Sequence, residues 1–168
     1  MLTSEELLLR LDKSDITYQV YNHPPLHTVE DSIKSRGLIK GAHSKNLFLK
    51  NKKNQFFLIS CIENRKIDLK KISKSLNLGN TSFAKEEYLL KYLGVKPGSV
   101  TPFGLLNDTK GCVEFYLDSQ FLENDMVNFH PLLNTSTISL KRDNFVKFLI
   151  ENNKKVNIFN FTNYSLME

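Results

Sequence analysis

Apolar residues recur at helical spacing in several segments of the chain. The first segment opens with Thr3-Ser4-Glu5-Glu6, the residue types of a capping box, and Leu7 and Leu11 follow on one face. Later segments begin at Thr28 and Asp68, whose side chains can cap a helix. The pattern predicts five helices, which start near residues 3, 28, 68, 85 and 143; the second, fourth and fifth end at about Gly37, Leu93 and Asn152.

Other segments alternate apolar and polar residues, or are rich in β-branched and aromatic residues, as strands are. The predicted strands are Ile16 to Tyr21, Lys45 to Lys50, Gln55 to Ile62, Val113 to Leu117, Thr137 to Leu140 and Val156 to Phe159. The turn Asn51-Lys52-Lys53-Asn54 would join the second and third as a hairpin. Without a regular βαβ rhythm, the order predicts a mixed α/β fold with a curved, mainly antiparallel sheet surrounded by helices.

Length and composition narrow the class of protein. With 168 residues, 40% of them hydrophobic and 24% charged, we expect one globular domain over residues 1–160 and a loose C-terminal tail over 161–168. Cys61 and Cys112 both lie among apolar residues, which predicts two reduced core thiols. The acidic N-terminus and the absence of a long apolar run predict a cytoplasmic protein with no membrane segment.

Charge is distributed unevenly along the chain. The formal net charge is +5, but residues 32–75 hold twelve basic and two acidic residues, a net of about +10. No acid lies between Asp31 and Glu63. Such a field suits a polyanion such as RNA, while a solvated lysine face in a lysine-rich chain is the alternative.

The stretch from Gly98 to Asp108 is a loop that nevertheless carries apolar residues. Gly98 allows close backbone approach, and Pro102 stiffens the loop. The free N–H groups of Ser99, Val100 and Thr101 can then face a ligand. The loop therefore has the makings of a small anion or carbonyl site built from backbone alone.

Lys45 and Asn46 lie on opposite faces of a predicted strand. Lys45 shares its face with Leu47 and Leu49, which we expect to be buried, so its side chain leaves the strand at the opening end of an apolar face. It lies either at the mouth of a pocket or snorkels to solvent, the commoner outcome. Asn46 lies on the opposite face beside Phe48.

A third polar cluster surrounds His130. Because Pro131 follows, the backbone at His130 is expected to be extended and its imidazole to project from a rigid loop. Asn134 and Thr135 follow as short hydrogen-bonding groups, and His43 adds a second imidazole ahead of Lys45. No nucleophile motif appears, and the four histidines lack the spacing of a zinc site.

Taken together and in order, these motifs resemble the YbaK/prolyl-tRNA-synthetase-associated editing family, in particular its free-standing PrdX (ProXp-ala) type. The likeness is carried by His27-Thr28-Val29-Glu30, Lys45-Asn46-Leu47-Phe48-Leu49, Gly98 to Gly104, and Phe129-His130-Pro131-Leu132 with Asn134-Thr135. It runs from about Leu7 to about Phe159. It implies a mixed α/β fold around a strongly curved sheet, and hydrolysis of the ester between a wrong amino acid and the terminal adenosine of tRNA.

The resemblance also implies roles for individual residues. Gly98 to Pro102 matches the family's GxxxP loop, whose backbone holds the aminoacyl carbonyl and amino group. Lys45 matches the lysine that contacts the terminal nucleotide, and Asn46 and His130 match positions lining the aminoacyl pocket. The expected site residues are Lys45, Gly98, Ser99, Val100 and Thr101 as catalytic groups, and His43, Asn46, Pro102, Phe103, Gly104, His130, Asn134 and Thr135 as substrate contacts. The basic segment adds Lys34, Arg36, Lys40 and Lys50 as tRNA contacts.

The expected activity is trans-editing of Ala-tRNA(Pro), without cofactor or metal. An aminoacyl ester is already activated, so water assisted by the neighbouring ribose hydroxyl can attack it while backbone N–H groups stabilise the oxyanion. Editing is needed because a proline pocket rejects the smaller alanine by only about 1–3 kcal/mol. The expected partner is the acceptor end of tRNA(Pro), with prolyl-tRNA synthetase as a further candidate. The alternatives are a deacylase for another small amino acid, such as Cys-tRNA(Pro), and a non-catalytic tRNA- or synthetase-binding module.

Overall fold

A computed structural model of the chain describes residues 1–26, 28–35 and 39–167, in which nine strands form one sheet. The strands are β1 Tyr18–Asn22, β2 Ala42–Asn51, β3 Phe56–Ile62, β4 Thr81–Phe83, β5 Val113–Asp118, β6 Met126–Phe129, β7 Ser136–Lys141, β8 Asn157–Asn160 and β9 Ser165–Leu166. The α-helices are α1 Ser4–Lys13, α2 Val29–Ser35, α3 Leu69–Ser75, α4 Glu86–Tyr88 and α5 Arg142–Glu151. A π-helical turn over Leu89–Leu93 continues α4, and 3₁₀ turns cover Pro102–Asn107 and Ser119–Glu123.

The sheet is mixed, with mostly antiparallel pairing. Its strand order is β1-β7-β6-β2-β3-β5-β8-β9, and β4 pairs with β2 outside this path. The parallel pairs are β2 with β6, β3 with β5, and β5 with β8. The predicted fold class is therefore confirmed, and so is the predicted hairpin, in which Ser44 to Lys50 of β2 faces Ile62 to Phe56 of β3.

Both faces of the sheet are buried. Phe56 and Leu58 of β3 enter a large apolar cluster, while the intervening Phe57 and Ile59 enter a second, smaller cluster. Because successive side chains of a strand point to opposite faces, the two clusters lie on opposite sides of the sheet. Helices α1 and α5 and the π-turn contribute to the large cluster, whereas α3 contributes Ile72 to the small one.

Side chains cap the N-termini of α1 and α3. The predicted capping box of α1 is confirmed, because the Thr3 hydroxyl accepts from Glu6 N–H and the Glu6 carboxylate accepts from Thr3 N–H. The same bonds hold the pKa of Glu6 below its ordinary value, led by the bond from the Thr3 backbone. Asp68 caps α3, as predicted.

The π-turn ends where two segments approach closely. Gly94 has φ +65°, and a Cβ added there would lie 2.5 Å from the Asn107 side-chain nitrogen. That same nitrogen donates to the Leu93 carbonyl at 2.9 Å. The 3₁₀ turn that ends the loop of residues 98–107 is thus fastened to the end of the helix.

Some predictions at the edges of the fold are wrong. The C-terminal residues are not loose, because Ser165–Leu166 pairs with β8, Met167 N–H donates to the Ile158 carbonyl at 2.9 Å, and Phe161 is buried. Strands β4, β6 and β9 have two to four residues each, too few for alternation to reveal. The C-terminus is thus part of the sheet, while a single domain over residues 1–160 stays a prediction.

The two cysteines differ, contrary to prediction. Cys61 is fully buried in β3, but Cys112 is exposed because it lies in the turn between Gly111 and the start of β5. An apolar sequence neighbourhood therefore predicted burial correctly only where a strand carries the residue into the sheet.

We predict that Phe103→Ala destabilises the protein by about 3–5 kcal/mol, because the side chain has no exposed surface and its ring lies against Phe129, Phe145 and Phe148. Urea unfolding measures the change. Phe83→Ala is the matched control, since Phe83 is 61% exposed, and it should cost less than about 0.5 kcal/mol. Equal losses in the two variants would contradict this assignment of the core.

Candidate functional site

Strand β2 has a gap along one edge. One edge of β2 pairs with β3 from Ser44 to Lys50. The opposite edge, which contains the gap, pairs with β6 only at Ala42 and His43 and with β4 only at residues 49–51. No strand of the described residues pairs with the edge between these two. Glu63 N–H donates to the His43 carbonyl, and Asn51 N–H donates to the Gln55 carbonyl. These bonds show that the main-chain N–H and C=O groups of odd-numbered β2 residues point toward β3, so those of even-numbered residues point the other way. The main-chain groups of Asn46 therefore point into the gap.

Asn46 is held in a polar relay on one face of β2. Its side-chain oxygen accepts from the buried Ser60 hydroxyl at 2.5 Å, and its side-chain nitrogen donates to the Ser44 hydroxyl at 3.2 Å. Ser44 in turn donates to the Asn128 carbonyl of β6 at 3.1 Å. The relay fixes which way the Asn46 amide points and joins β2, β3 and β6 beside the gap.

Lys45 lies on the opposite face, paired across the hairpin with Cys61. The side chain is half-buried, and its ammonium group donates to the main-chain carbonyl of Arg65. The Lys45 ammonium group is therefore held by a main-chain partner instead of extending freely into solvent, and it lies on the face opposite Asn46. Burial, opposed by the nearby Lys45 charge, raises the pKa of the Cys61 thiol to about 12. Cys61 is therefore a neutral thiol rather than a nucleophile.

His130 follows β6 and is oriented by a single bond. Its Nδ1 lies 2.9 Å from the Ser136 carbonyl, which can only accept, so Nδ1 carries the proton and Nε2 of the neutral ring is an acceptor. Burial lowers the pKa of His130, partly offset by the Ser136 bond, and the neighbouring His23 lowers it further. The ring centres of the two histidines are 6.1 Å apart, and His23 Nε2 lies 2.9 Å from the Thr137 hydroxyl.

A cavity of about 40 Å³ opens between these elements. Its lining residues are Leu26, His43, Ser44, Glu63, Asn128, Phe129, His130 and Thr137. His43 Nε2 also lies 3.0 Å from the Ile39 carbonyl, so its imidazole is held against the chain that precedes β2.

Asn128 is a lining residue that sequence reasoning missed. It is 2% exposed, and its side-chain nitrogen donates to the carbonyls of Lys40 and Ala42 at 3.0 and 3.2 Å. These bonds fix the orientation of the amide. Its oxygen, Oδ1, has no partner among the described residues. The available signal was one asparagine inside the apolar run Met126–Phe129.

The loop of residues 98–104 faces the His130 loop. Gly98 has φ +85°, and a Cβ added there would lie 3.5 Å from the Asn134 side-chain nitrogen. Ser99 was expected to offer a free N–H, which is wrong because this group donates to the Lys96 carbonyl at 3.0 Å. The N–H groups of Val100 and Thr101 have no acceptor among the described residues. Val100 is half-buried whereas Thr101 has no exposed surface, so of the three expected donors only Val100 N–H is both unpartnered and on a residue with exposed surface.

The remaining loop residues support it from behind. Pro102, Phe103 and Gly104 are buried, and a Cβ on Gly104 would come within 2.9 Å of the Leu93 side chain. The expected contact of the Phe103 side chain with substrate is corrected, because this ring has no exposed surface. The Thr101 hydroxyl accepts from Phe103 N–H at 3.4 Å and so caps the 3₁₀ turn.

The other predicted site residues are only partly brought together. Thr135 is exposed, and its carbonyl accepts from His23 N–H at 2.9 Å, while Asn134 is half-buried beside Gly98. Within the described parts of the chain, no group of three His, Cys, Asp or Glu side chains could hold a metal ion, and no helix is long and apolar enough to cross a membrane.

The predicted tRNA-contacting residues do not form one patch. Lys34 is exposed and lies 3.6 Å from Glu30, and Lys40 is exposed just before β2. Lys50 lies at the far end of β2, 5.9 Å from the Tyr88 ring, and points to the face opposite Lys45 because five residues separate them. Arg36 lies outside the described residues, as does His27 of the first motif.

Comparisons with known proteins agree on a family. The profile described as "Aminoacyl-tRNA editing domain" matches residues 23–148. The Xenopus laevis "Prolyl-tRNA synthetase associated domain-containing protein 1" is 42% identical over 150 residues, which cover 86% of this chain and 89% of that protein. The "Prolyl-tRNA editing protein ProX" of Acetoanaerobium sticklandii is 33% identical over 153 residues, covering 90% and 93%. A solved structure of a candidate trans-editing enzyme for prolyl-tRNA synthetase superposes with a TM-score of 0.68 at 18% identity, covering 98% and 96%.

We predict that His130 makes the stability of the protein depend on pH. Since the pKa of His130 is lower in the folded protein than its ordinary value of 6.5, the unfolded chain binds the proton more tightly. The contribution is fully present above pH 6.5 and is lost as the pH falls toward the folded pKa. Urea unfolding between about pH 7.5 and pH 5.5 should show a smaller acid loss for His130→Asn, which keeps a donor for Ser136, than for wild type. Equal pH slopes would contradict the assignment.

Proposed function

Since the chain belongs to the aminoacyl-tRNA editing domain family, we propose that it is a trans-editing deacylase that hydrolyses the alanyl ester of Ala-tRNA(Pro) in the cytoplasm. The observation that carries this proposal is the unpartnered main-chain N–H of the half-buried Val100, on a loop packed beside Asn134. Such a donor suits the oxyanion that forms when an ester is attacked. The names of the relatives extend the proposal to prolyl-tRNA and prolyl-tRNA synthetase as partners. Since the scissile ester lies at the acceptor end of tRNA(Pro), we propose that end as the part of the tRNA that the protein binds.

The proposed reaction uses water as the nucleophile. Water adds to the ester carbonyl, and the negative charge that develops on the carbonyl oxygen is stabilised by Val100 N–H. The neighbouring ribose hydroxyl relays the proton, because it accepts one from the attacking water and passes its own to the ribose oxygen of the ester. Collapse of the tetrahedral intermediate breaks the bond between the carbonyl carbon and that protonated ribose oxygen, and alanine and tRNA are released. No enzyme nucleophile is needed, which agrees with the neutral, buried thiol of Cys61.

The two faces of β2 receive different parts of the substrate in this proposal. On one face, Asn46 and His130 line the aminoacyl pocket, and the neutral His130 ring offers an acceptor at Nε2. On the other face, Lys45 carries the charge that a phosphate of the terminal nucleotide requires. The open edge at Asn46 lets an elongated ligand reach both faces.

We propose that the cavity beside His130, which His43, Asn128 and Thr137 help to line, receives part of the aminoacyl group. A synthetase pocket made for proline admits alanine, because the lost apolar contacts are worth only about 1–3 kcal/mol. A deacylase whose own pocket is too tight for proline would spare the correctly charged tRNA.

One observation favours a second substrate, the cysteinyl ester of Cys-tRNA(Pro). Asn128 is a lining residue of the cavity and its buried Oδ1 has no donor among the described residues, and a thiol is a weak donor whereas a methyl group is none. Burial of an unpaired acceptor beside a methyl group carries a desolvation cost. The choice between the two substrates therefore depends on whether Asn128 Oδ1 contacts the side chain.

We predict that purified protein releases alanine from Ala-tRNA(Pro) well above the spontaneous rate and leaves Pro-tRNA(Pro) intact. The measurement is a panel of tRNA(Pro) charged separately with alanine, cysteine, serine and proline, followed by loss of the radioactive ester. Faster loss of the cysteinyl ester would select the second substrate. Binding of tRNA(Pro) with no turnover on any ester would instead support a non-catalytic module.

We predict that Lys45→Ala lowers kcat/KM for Ala-tRNA(Pro) by about 10- to 100-fold, because one charge-assisted contact with the terminal nucleotide is lost. The matched control is Lys53→Ala, which removes the same charge from an exposed position in the β2–β3 turn. The control should stay within about twofold of wild type. Equal effects of the two substitutions would show that net charge, rather than the position of Lys45, matters.

A further inference from the structure

The position of the Lys45 ammonium group depends on a neighbouring main-chain carbonyl. A lysine side chain has four rotatable bonds, and ordering it costs free energy. In this protein the ammonium group donates to the carbonyl of Arg65 and makes no ion pair with a carboxylate among the described residues. An ammonium group has three donors, so two remain for a ligand.

The carbonyl of Arg65 is itself held by a buried carboxylate. Asp118, at the end of β5, is fully buried and lies 2.7 Å from Arg65 Nε and 3.2 Å from Arg65 Nη2. The same carboxylate accepts from Ile62 N–H at 3.1 Å and from Gln120 N–H at 3.0 Å. Gln120 also accepts from Arg65 Nη2 at 2.6 Å, and the guanidinium lies 5.2 Å from the Phe161 ring.

Stability alone does not explain the buried ion pair between Arg65 and Asp118. Removing a carboxylate and a guanidinium from water costs about as much as their attraction returns, so buried pairs are often no more stabilising than apolar residues. Its geometric effect is clear, because the turn after β3 is fixed relative to β5 by four donors on one carboxylate. Asp118 also neutralises the guanidinium, whereas Lys45 has no carboxylate partner among the described residues.

We propose that Asp118 and Arg65 are positioning residues that hold the Lys45 ammonium group, through the Arg65 carbonyl, where it receives a phosphate of the terminal nucleotide. The inference rests on the proposed function for the identity of the ligand. Arg65 contributes its main-chain oxygen, and its charged side chain serves as the anchor to Asp118. The C-terminal segment also supports this arrangement, because the ring of the buried Phe161 packs over the Arg65 guanidinium.

The test is a double-mutant cycle between Arg65→Ala and Lys45→Ala, read as kcat/KM for the aminoacyl-tRNA that the protein hydrolyses. Arg65→Ala keeps the carbonyl but removes its anchor, and we expect a loss of about tenfold in the presence of Lys45. In the Lys45→Ala background, the same substitution should change the rate by less than about twofold. Arg65→Lys, which keeps the charge but loses the fork, should restore part of the activity.

The control substitution lies in the same turn as Arg65. Lys66→Ala removes an exposed charge next to Arg65 and should leave both backgrounds unchanged. An equal loss from Arg65→Ala with and without Lys45 would overturn the proposal, because the pair would then act on the fold alone. If Arg65→Ala fails to fold, Arg65→Lys and Gln120→Ala take its place in the cycle with the same criteria.

A second readout separates this inference from the proposed function. The dissociation constant of uncharged tRNA(Pro), measured over the same four proteins, requires no turnover. If wild type hydrolyses no ester but binds tRNA, non-additive losses in affinity would still support the positioning pair. If wild type hydrolyses the ester and both cycles are additive, the proposed function stands and the positioning inference fails.

Discussion

Strand β2 has a continuous partner on one edge and two separate partners on the other, and the arrangement of the site depends on this. The hairpin with β3 fixes β2 from Ser44 to Lys50, while β6 and β4 reach only its two ends. The main-chain groups of Asn46 therefore face the interval between β6 and β4, where no strand of the described residues pairs with β2. Unpaired strand edges are usually short or covered in proteins. An edge left open beside a relay of buried hydroxyl and amide groups is a place where a ligand can complete the hydrogen bonding.

Because side chains alternate along β2, the adjacent residues Lys45 and Asn46 place a charged group and a neutral polar group on opposite faces of the strand. Asn46 faces the neutral side, with Ser44, Ser60 and the Asn128 carbonyl, and Lys45 faces the charged side, with Arg65 and Asp118. An aminoacyl ester and a phosphate differ in the same way, since one is neutral at its reacting carbonyl and the other carries charge. A single strand can therefore present both surfaces at a fixed spacing without placing a cation beside the reacting carbonyl.

His130 and Asn128, which line the cavity together with Glu63, are uncharged and held in fixed orientations. The Ser136 carbonyl orients His130, and burial keeps its pKa low; Asn128 is oriented by the carbonyls of Lys40 and Ala42. His130 Nε2 and the buried Asn128 Oδ1 are acceptors, while the loop of residues 98–104 has the unpartnered Val100 N–H as a donor. Preorganised dipoles of this kind cost little to arrange at the moment of reaction, and they suit chemistry in which water is the nucleophile.

Much of this protein could be predicted from its sequence, because local patterns dictate local structure. The capping box of α1, the β2–β3 hairpin, the Asp68 cap and the loop with Gly98 and Pro102 each need only a few neighbouring residues to be recognised. The ordered motifs also identified the family. What they left open includes short-range features that have no distinct sequence signal. Ser99 N–H donates to the Lys96 carbonyl three residues earlier, β9 pairs with the adjacent β8, and Cys112 is exposed in the turn before β5. Contacts between distant segments, such as the bonds between Arg65 and Asp118, were also left open.

The same division holds at the site. The sequence by itself determined which residue types are present and that Lys45 and Asn46 point to opposite faces, because alternation is a property of any strand. Only the tertiary structure decided that the Lys45 ammonium group is held by the Arg65 carbonyl, that Asp118 anchors this turn from another strand, and that Asn128 Oδ1 is left without a donor. The physical reason is that hydrogen bonding and burial depend on distances between segments that lie 20 to 88 residues apart in these examples, and a linear pattern carries no such distance.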